Sequence, residues 1–271
     1  MRFTDKLNKM IEKNNSLLCV GLDVDTKKIP PHLLKKEDGL FTFNKKIIDV
    51  TTDLVCCYKI NMAFYESLGQ KGVELLTKTM EYIPREIPVI LDGKRGDIGN
   101  TAEHYAYEVF DLYKADATTV NPYMGLDSIK PFLNYRDKCI FILCRTSNPS
   151  AVDFQNLLVG EKKTPLYEIV AGKIREWNEK KNCGAVAGAT YPEDLKKIRF
   201  IIGDDVPLLI PGVGKQGGNL EKSVKYGVNS EGKNAIINSS RSILYANNSE
   251  EFAFFSRKAA EALKDEINKY R

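Results

Sequence analysis

The chain has 271 residues, 43% hydrophobic and 28% charged, and its 40 basic and 36 acidic side chains leave a formal net charge of +4. That apolar content can bury a full core, so intrinsic disorder is excluded, and Lys and Arg interleave with Asp and Glu instead of forming the basic stripe of a dedicated nucleic-acid binder. With about 150 residues per domain as a loose guide and single α/β barrels running to about 250, the length fits one large domain or two small ones.

Short apolar runs recur along the chain, at Ser16–Asp23, Val55–Asn61, Pro88–Lys94, Ala117–Asn121, Cys139–Ser147, Cys183–Thr190, Pro207–Pro211 and Asn234–Ser240. Each reads as a strand buried on both faces, as parallel strands are. Between them, Lys71–Tyr82, Ala102–Tyr113, Pro165–Lys181 and Pro192–Phe200 carry apolar residues at helical spacing. The chain closes with Glu250–Tyr270, an amphipathic helix with Phe252, Phe255, Ala259, Ala262 and Leu263 on one face. No Pro/Gly-rich linker divides it. Eight strands alternating with helices predict a single-domain (β/α)8 barrel over residues 1–271; an open doubly wound sheet shares the alternation but not the count.

Several chemistries are disfavoured at once. Two histidines, His32 and His104, are too few for a His-rich metal site and argue against a His-based triad. The six cysteines contain no C-x-x-C pair, and four of them sit inside apolar runs, so we expect a reducing compartment without disulfides or zinc. The longest apolar runs, such as Cys139–Cys144, are far short of a membrane span, and Met1–Asn15 is charged and lacks a signal-peptide pattern. A cytoplasmic protein with no membrane partner is the expectation.

Polar residues close the runs: Asp23, Lys59-Ile-Asn61, Asp92-Gly-Lys94, Asn121, Arg145-Thr-Ser147, Thr190, Pro211 and Ser240-Arg241. In a barrel these ends face one mouth, where active sites are built. Asn121 and Thr190 are also ordinary strand terminators. Lys59, Asp92 and Lys94 are not, because an isolated buried charge is costly and must find partners. Asp92 and Lys94, two apart on a strand, project to one face. Asp97 follows beyond Gly96, and Lys59 supplies a second cation, so two carboxylates alternate with two ammoniums. Such a network rarely stabilises a fold more than apolar packing would, which favours a catalytic use. A lysine between carboxylates keeps its proton, which makes Lys94 a poor Schiff-base nucleophile. It makes Lys94 a good proton donor and a fixed positive charge beside a developing carbanion.

A second motif, Pro211-Gly-Val-Gly-Lys-Gln-Gly-Gly218, closes the seventh run. Its glycines fit G-x-G-x-x-G, but that dinucleotide fingerprint belongs after the first strand of a doubly wound domain. In a barrel, the loops after strands seven and eight commonly bind phosphate, and Ser239-Ser-Arg241 adds a guanidinium there. Arg95-Gly-Asp97, the N-x-S sequons at Asn14 and Asn247, Trp177 on a predicted helix, and His104 carry no function in this reading.

Leu91-Asp-Gly-Lys-Arg-Gly-Asp-Ile-Gly-Asn-Thr101 closely resembles the signature of the orotidine 5′-phosphate decarboxylase family. Asp23, Tyr58-Lys-Ile-Asn61, Arg145-Thr-Ser-Asn-Pro149, Gly188-Ala-Thr-Tyr-Pro192, Pro211–Gly218 and Ser240-Arg241 resemble further family positions, in the family's order, from the first strand to the eighth. The length and the Gly188–Pro192 stretch look like its longer bacterial branch. The resemblance implies decarboxylation of orotidine 5′-phosphate to UMP, the last step of de novo pyrimidine synthesis, without metal or cofactor. It implies Asp92 against the substrate carboxylate, Lys94 as stabiliser and proton donor of the C6 carbanion, and Lys59 orienting Asp92 and touching the ribose. Asp23 would hold the ribose hydroxyl, Ser147 the pyrimidine, and Gln216 and Arg241 the phosphate, beside Pro211 and Ser240. In a homodimer, Asp97, Ile98 and Thr101 would reach into the partner's site. Ser240 departs from the pattern, since many relatives place Gly there.

Two other functions fit parts of the pattern. One is a Mg²⁺-dependent sugar-phosphate decarboxylase or aldolase of the same superfamily, which needs carboxylates arranged for a metal where Lys59 and Lys94 stand. The other is a catalytically silent nucleotide-binding protein, for which carboxylates beside an anion have no use.

Overall fold

The computed structural model describes residues 1–213 and 218–271. Among these, the apolar runs become eight parallel strands, β1 (Leu18–Gly21), β2 (Cys57–Asn61), β3 (Val89–Arg95), β4 (Ala117–Val120), β5 (Cys139–Arg145), β6 (Cys183–Ala187), β7 (Leu208–Ile210) and β8 (Ala235–Ser239). Each pairs with its neighbours in sequence, and Leu18 against Ile237 closes the ring. The order is that of a (β/α)8 barrel in a single domain. Buried Val, Ile, Leu, Ala and Cys side chains fill the strands, as a sheet covered by helices requires. All six cysteines are buried and free.

The predicted helices appear close to their expected bounds, at Gln70–Tyr82, Gly99–Tyr107, Leu166–Trp177, Pro192–Ile202 and Phe252–Asn268. The predicted Ala102–Tyr113 segment does not stay α-helical. It widens into a π-helix over Glu108–Leu112, which carries Glu108 toward Arg95. The last helix lies on the helix Gly39–Thr51, where Phe252 stacks on Phe43 with ring centroids 5.1 Å apart.

Three features go beyond the sequence reading. The charged N-terminal segment is a helix, Phe3–Asn14, that buries Phe3, Leu7, Met10 and Ile11. It is held where the Phe3 N–H donates to the Asp137 carbonyl at 2.8 Å and the Phe3 ring meets Phe141 edge-on. Between β5 and the helix Leu166–Trp177 lies a small antiparallel hairpin, Leu158–Val159 with Thr164–Pro165. At the barrel's N-terminal end, buried Arg199 donates to the carbonyls of Gly227, Gly203, Val206 and Asn234. Burial pushes this guanidinium down to about 10, against the pull of Asp204. Among the described residues, no helix is long and apolar enough to cross a membrane.

Candidate active site

The C-terminal ends of the strands surround a cavity of about 390 Å³, within the range of about 300–1,000 Å³ common for small-molecule sites. On one side stands a row of alternating charges. The Lys59 Nζ lies 3.4 Å from Asp23 Oδ1 and 3.3 Å from Asp92 Oδ2, and the Lys94 Nζ donates to Asp92 Oδ1 at 2.7 Å. The parallel register explains the meeting, since Gly21 pairs with Lys59 and Asn61 with Asp92 across adjacent strands.

Lys59 and Asp92 are buried, whereas the Lys94 side chain is 46% exposed and stands at the cavity mouth. Burial alone would drive the Asp92 carboxyl up. Lys59 and Lys94, with hydrogen bonds from Lys94 and Thr119, outweigh burial and hold it at about 2. Burial would likewise lower Lys59, but Asp23 and Asp92 outweigh it and keep the ammonium above its ordinary value. The result is a fixed, ionised carboxylate with one buried and one accessible ammonium.

Asp92 and Lys94 were expected to share a face through regular strand alternation. The structure brings them together differently. The β3–β4 register shifts between Leu91 and Arg95, and Lys94 has a left-handed backbone, φ +48°. The ammonium returns to Asp92 across this bulge. The sequence pattern makes Asp97 the fourth member of the charge cluster. Within one chain that place belongs to Asp23, because the Asp97 carboxylate turns back to accept from the Ile98 N–H at 2.8 Å and does not line the cavity. Ile98 and Thr101 are exposed and also lie outside it.

The β1 loop that carries Asp23 is held by residues the sequence reading passed over. The Tyr245 hydroxyl donates to the Asp23 carbonyl at 2.7 Å and accepts from the Asp25 N–H. The Tyr65 hydroxyl donates to the Leu22 carbonyl at 2.9 Å. Both tyrosines are far from Asp23 in sequence, so no local signal marks them.

Across the cavity, Ser147, Pro211, Ser240 and Arg241 line the wall, together with Asn61, Thr146, Asn238 and Ser239. Arg145 does not join them. Its guanidinium is buried on the helix side, donating to Asp194 at 2.9 Å and to Gln155, and lies 3.7 Å from the Tyr191 ring. It clamps the loops after β5 and β6. Gly188 lets these loops touch, since a Cβ there would come within 2.8 Å of the Ser147 backbone. A similar fit explains Ser240, whose hydroxyl takes the space that a side chain at Gly21 would need. Arg241 is exposed at the start of the turn of helix Arg241–Leu244 and makes no ion pair among the described residues. Gln216 lies outside the described residues.

Among the described residues, no group of three His, Cys, Asp or Glu side chains is arranged to hold a metal ion. The two carboxylates at the mouth, Asp23 and Asp92, face ammoniums instead.

A sequence model of the orotidine 5′-phosphate decarboxylase / HUMPS family matches residues 16–253. The chain belongs to that family. Among curated members, the orotidine 5′-phosphate decarboxylases of Dehalococcoides mccartyi and Cupriavidus metallidurans are 50% and 48% identical, each over 100% of this chain and 99% of its own length. The solved Leishmania donovani OMP decarboxylase superposes with a TM-score of 0.86 at 38% identity, covering 100% of this chain and 98% of that one. The UMP synthase of the same organism matches at 39% identity and a TM-score of 0.89, and there this chain spans 56% of the longer protein. The decarboxylase / HUMPS signature and the barrel therefore coincide from the first strand to the eighth.

Proposed function

We propose that this chain decarboxylates orotidine 5′-phosphate to UMP and CO2, the last step of de novo pyrimidine synthesis, with its own side chains as the only catalytic groups. End-to-end identity near one half with the two bacterial decarboxylases supports the reaction. The observation that carries the mechanism is the ionised Asp92 pinned between Lys59 and Lys94 at the mouth. The substrate carboxylate would lie against Asp92, and its repulsion is relieved when the C–C bond breaks and CO2 leaves. The bond's electron pair stays on C6 beside the Lys94 ammonium, which stabilises it and then gives it a proton. Lys94 recovers that proton from solvent.

Asp23 and Lys59, bonded to each other, face the ribose; Ser147 faces the pyrimidine. Arg241, with Pro211, Ser240 and Gln216, forms the phosphate end, where a cation that makes no ion pair among the described residues suits a dianion. The active unit in this reading is a cytoplasmic homodimer. Asp97, turned away from its own cavity, enters the partner's site with Ile98 and Thr101. Ile98 is 55% exposed, and Met124, packed beside Gly96 on the same rim, is 42% exposed, the kind of apolar surface a partner covers.

The test is release of CO2 and loss of orotidylate absorbance by the purified protein in excess EDTA. Turnover unaffected by the chelator is the expected result. Activity abolished by EDTA and restored by Mg²⁺ would favour the metal-dependent sugar-phosphate chemistry, and binding of UMP without turnover a silent nucleotide binder.

A further inference from the structure

Among the described residues, every side-chain donor to the Asp92 carboxylate but one is a lysine. The exception is Thr119 on β4, buried among the cavity-lining residues. Its hydroxyl accepts from the Lys94 backbone N–H at 2.9 Å and donates to Asp92 Oδ1 at 2.7 Å. The direction of both bonds is forced: an amide can only donate, and an ionised carboxylate can only accept. The Lys94 ammonium donates to the same Oδ1 at 2.7 Å. The two ends of Lys94, amide and ammonium, thus converge on one carboxylate oxygen, the amide through the threonine.

The bulge explains why a side chain is needed. Pairing of β3 with β4 runs through Leu91–Thr118 and resumes at Arg95–Val120. Lys94 lies in the gap, in a left-handed conformation unfavourable for a residue with a Cβ, and its N–H goes to the Thr119 side chain. The neighbouring Thr118, on the outer face of β4, donates instead to the Leu91 carbonyl at 2.8 Å. The two threonines therefore bracket the bulge, one toward the helices and one toward the reaction.

We infer that Thr119 is a positioning residue for the decarboxylation, holding the Lys94 backbone and the Asp92 carboxylate in one rigid unit so that the exposed Lys94 ammonium stands where C6 becomes negative. This rests on the role given to Lys94 under the proposed function. An ammonium on a four-carbon stem has many rotamers, and anchoring its root removes much of that freedom before substrate arrives.

The experiment compares Thr119→Val, which keeps the volume and loses the hydroxyl, with Thr119→Ser, which keeps the hydroxyl and loses a methyl. Thr119→Val is expected to lower kcat by ~10–100-fold with KM within ~3-fold, since misplacement of a catalytic group by about 1 Å can cost that much. Thr119→Ser should stay within ~3-fold of wild type, because the bonds that orient Lys94 survive. Thr118→Val should lower thermal stability and leave kcat unchanged. The opposite order, with Val active and Ser impaired, would mean that residue 119 merely packs, and would overturn the inference. Should Thr119→Val fail to fold, Thr119→Ala replaces it, and equal kcat for the Ala and Ser variants overturns the inference. Lys94→Ala, assayed in parallel, separates the two failures. Full activity there sinks the Lys94 role and this inference with it; an inactive Lys94→Ala beside an active Thr119→Val sinks the inference alone.

Discussion

At the scale of single residues, the site is governed by which charge is buried and which is reachable. Lys59 is enclosed by Asp23 and Asp92 and serves to keep the latter ionised, whereas Lys94 reaches solvent and can exchange a proton. In the proposed mechanism, Lys94→Ala removes both the cation beside the developing carbanion and its proton donor. Turnover should fall by at least ~10³-fold, while UMP affinity stays within ~10-fold; activity within tenfold of wild type would refute the assignment. The titration of Asp92 is a separate check. Its carboxyl is held at about 2 against an ordinary 3.8, so its contribution to stability is complete above the ordinary value and is lost as pH falls toward about 2. Lys59, raised above its ordinary 10.5, contributes below that value and loses its effect only at higher pH. The pair should therefore keep one charge state between about pH 4 and about pH 8, and ¹³C NMR of labelled aspartate should show no Asp92 transition in that window. A midpoint inside it would mean that the lysines do not hold the carboxylate as the structure places them.

Strands and loops decide which of these residues could be read in advance. Parallel strands buried on both faces are bare apolar runs that end in polar residues, so the eight strand ends, and with them Asp23, Lys59, Asp92, Lys94, Ser147 and Arg241, are visible as exceptions to a hydrophobic pattern. What depends on contacts between distant elements is not. Thr119 is an ordinary β-branched strand residue until a bulge 25 residues earlier leaves an amide for it to take. Arg145 ends its strand as a site residue would, yet the acidic Asp194 and the Tyr191 ring draw it to the helix side. The helix Phe3–Asn14 hides its apolar stripe among charges. Arg199 belongs to the same class, a helix residue whose fork ties two helix ends to the starts of β7 and β8 at the barrel end away from the site. Lysine carries the same charge but not the fork, so Arg199→Lys would leave several buried carbonyls without donors. Urea unfolding should show a loss of at least ~3 kcal/mol, since each unsatisfied buried acceptor costs about 1–3 kcal/mol. Activity per folded molecule should not change. A loss under about 1 kcal/mol would show that water or the lysine replaces the fork, because a made hydrogen bond is worth only that much net.

For the whole molecule, the question is whether one barrel holds a complete site. The cavity of a single chain contains Asp23, Lys59, Asp92 and Lys94 but not Asp97, whose loop stands on an exposed rim with Ile98. If Asp97 is lent across a two-fold axis, each chain gives one and receives one. Lys59→Ala and Asp97→Ala homodimers should then both be nearly inactive. In a mixed dimer, one site collects both defects and the other collects neither. Random exchange makes half of all dimers mixed, so about a quarter of the sites should regain the wild-type set. The two variants are mixed, exchanged by mild denaturation and refolding, and assayed for decarboxylation beside each variant treated alone. Recovery toward a quarter of wild-type activity is the expected outcome. Mixed dimers that form, as native mass spectrometry would show, yet recover nothing would mean that Asp97 serves its own chain. The loop beyond Gly96 would then have to turn inward when substrate binds.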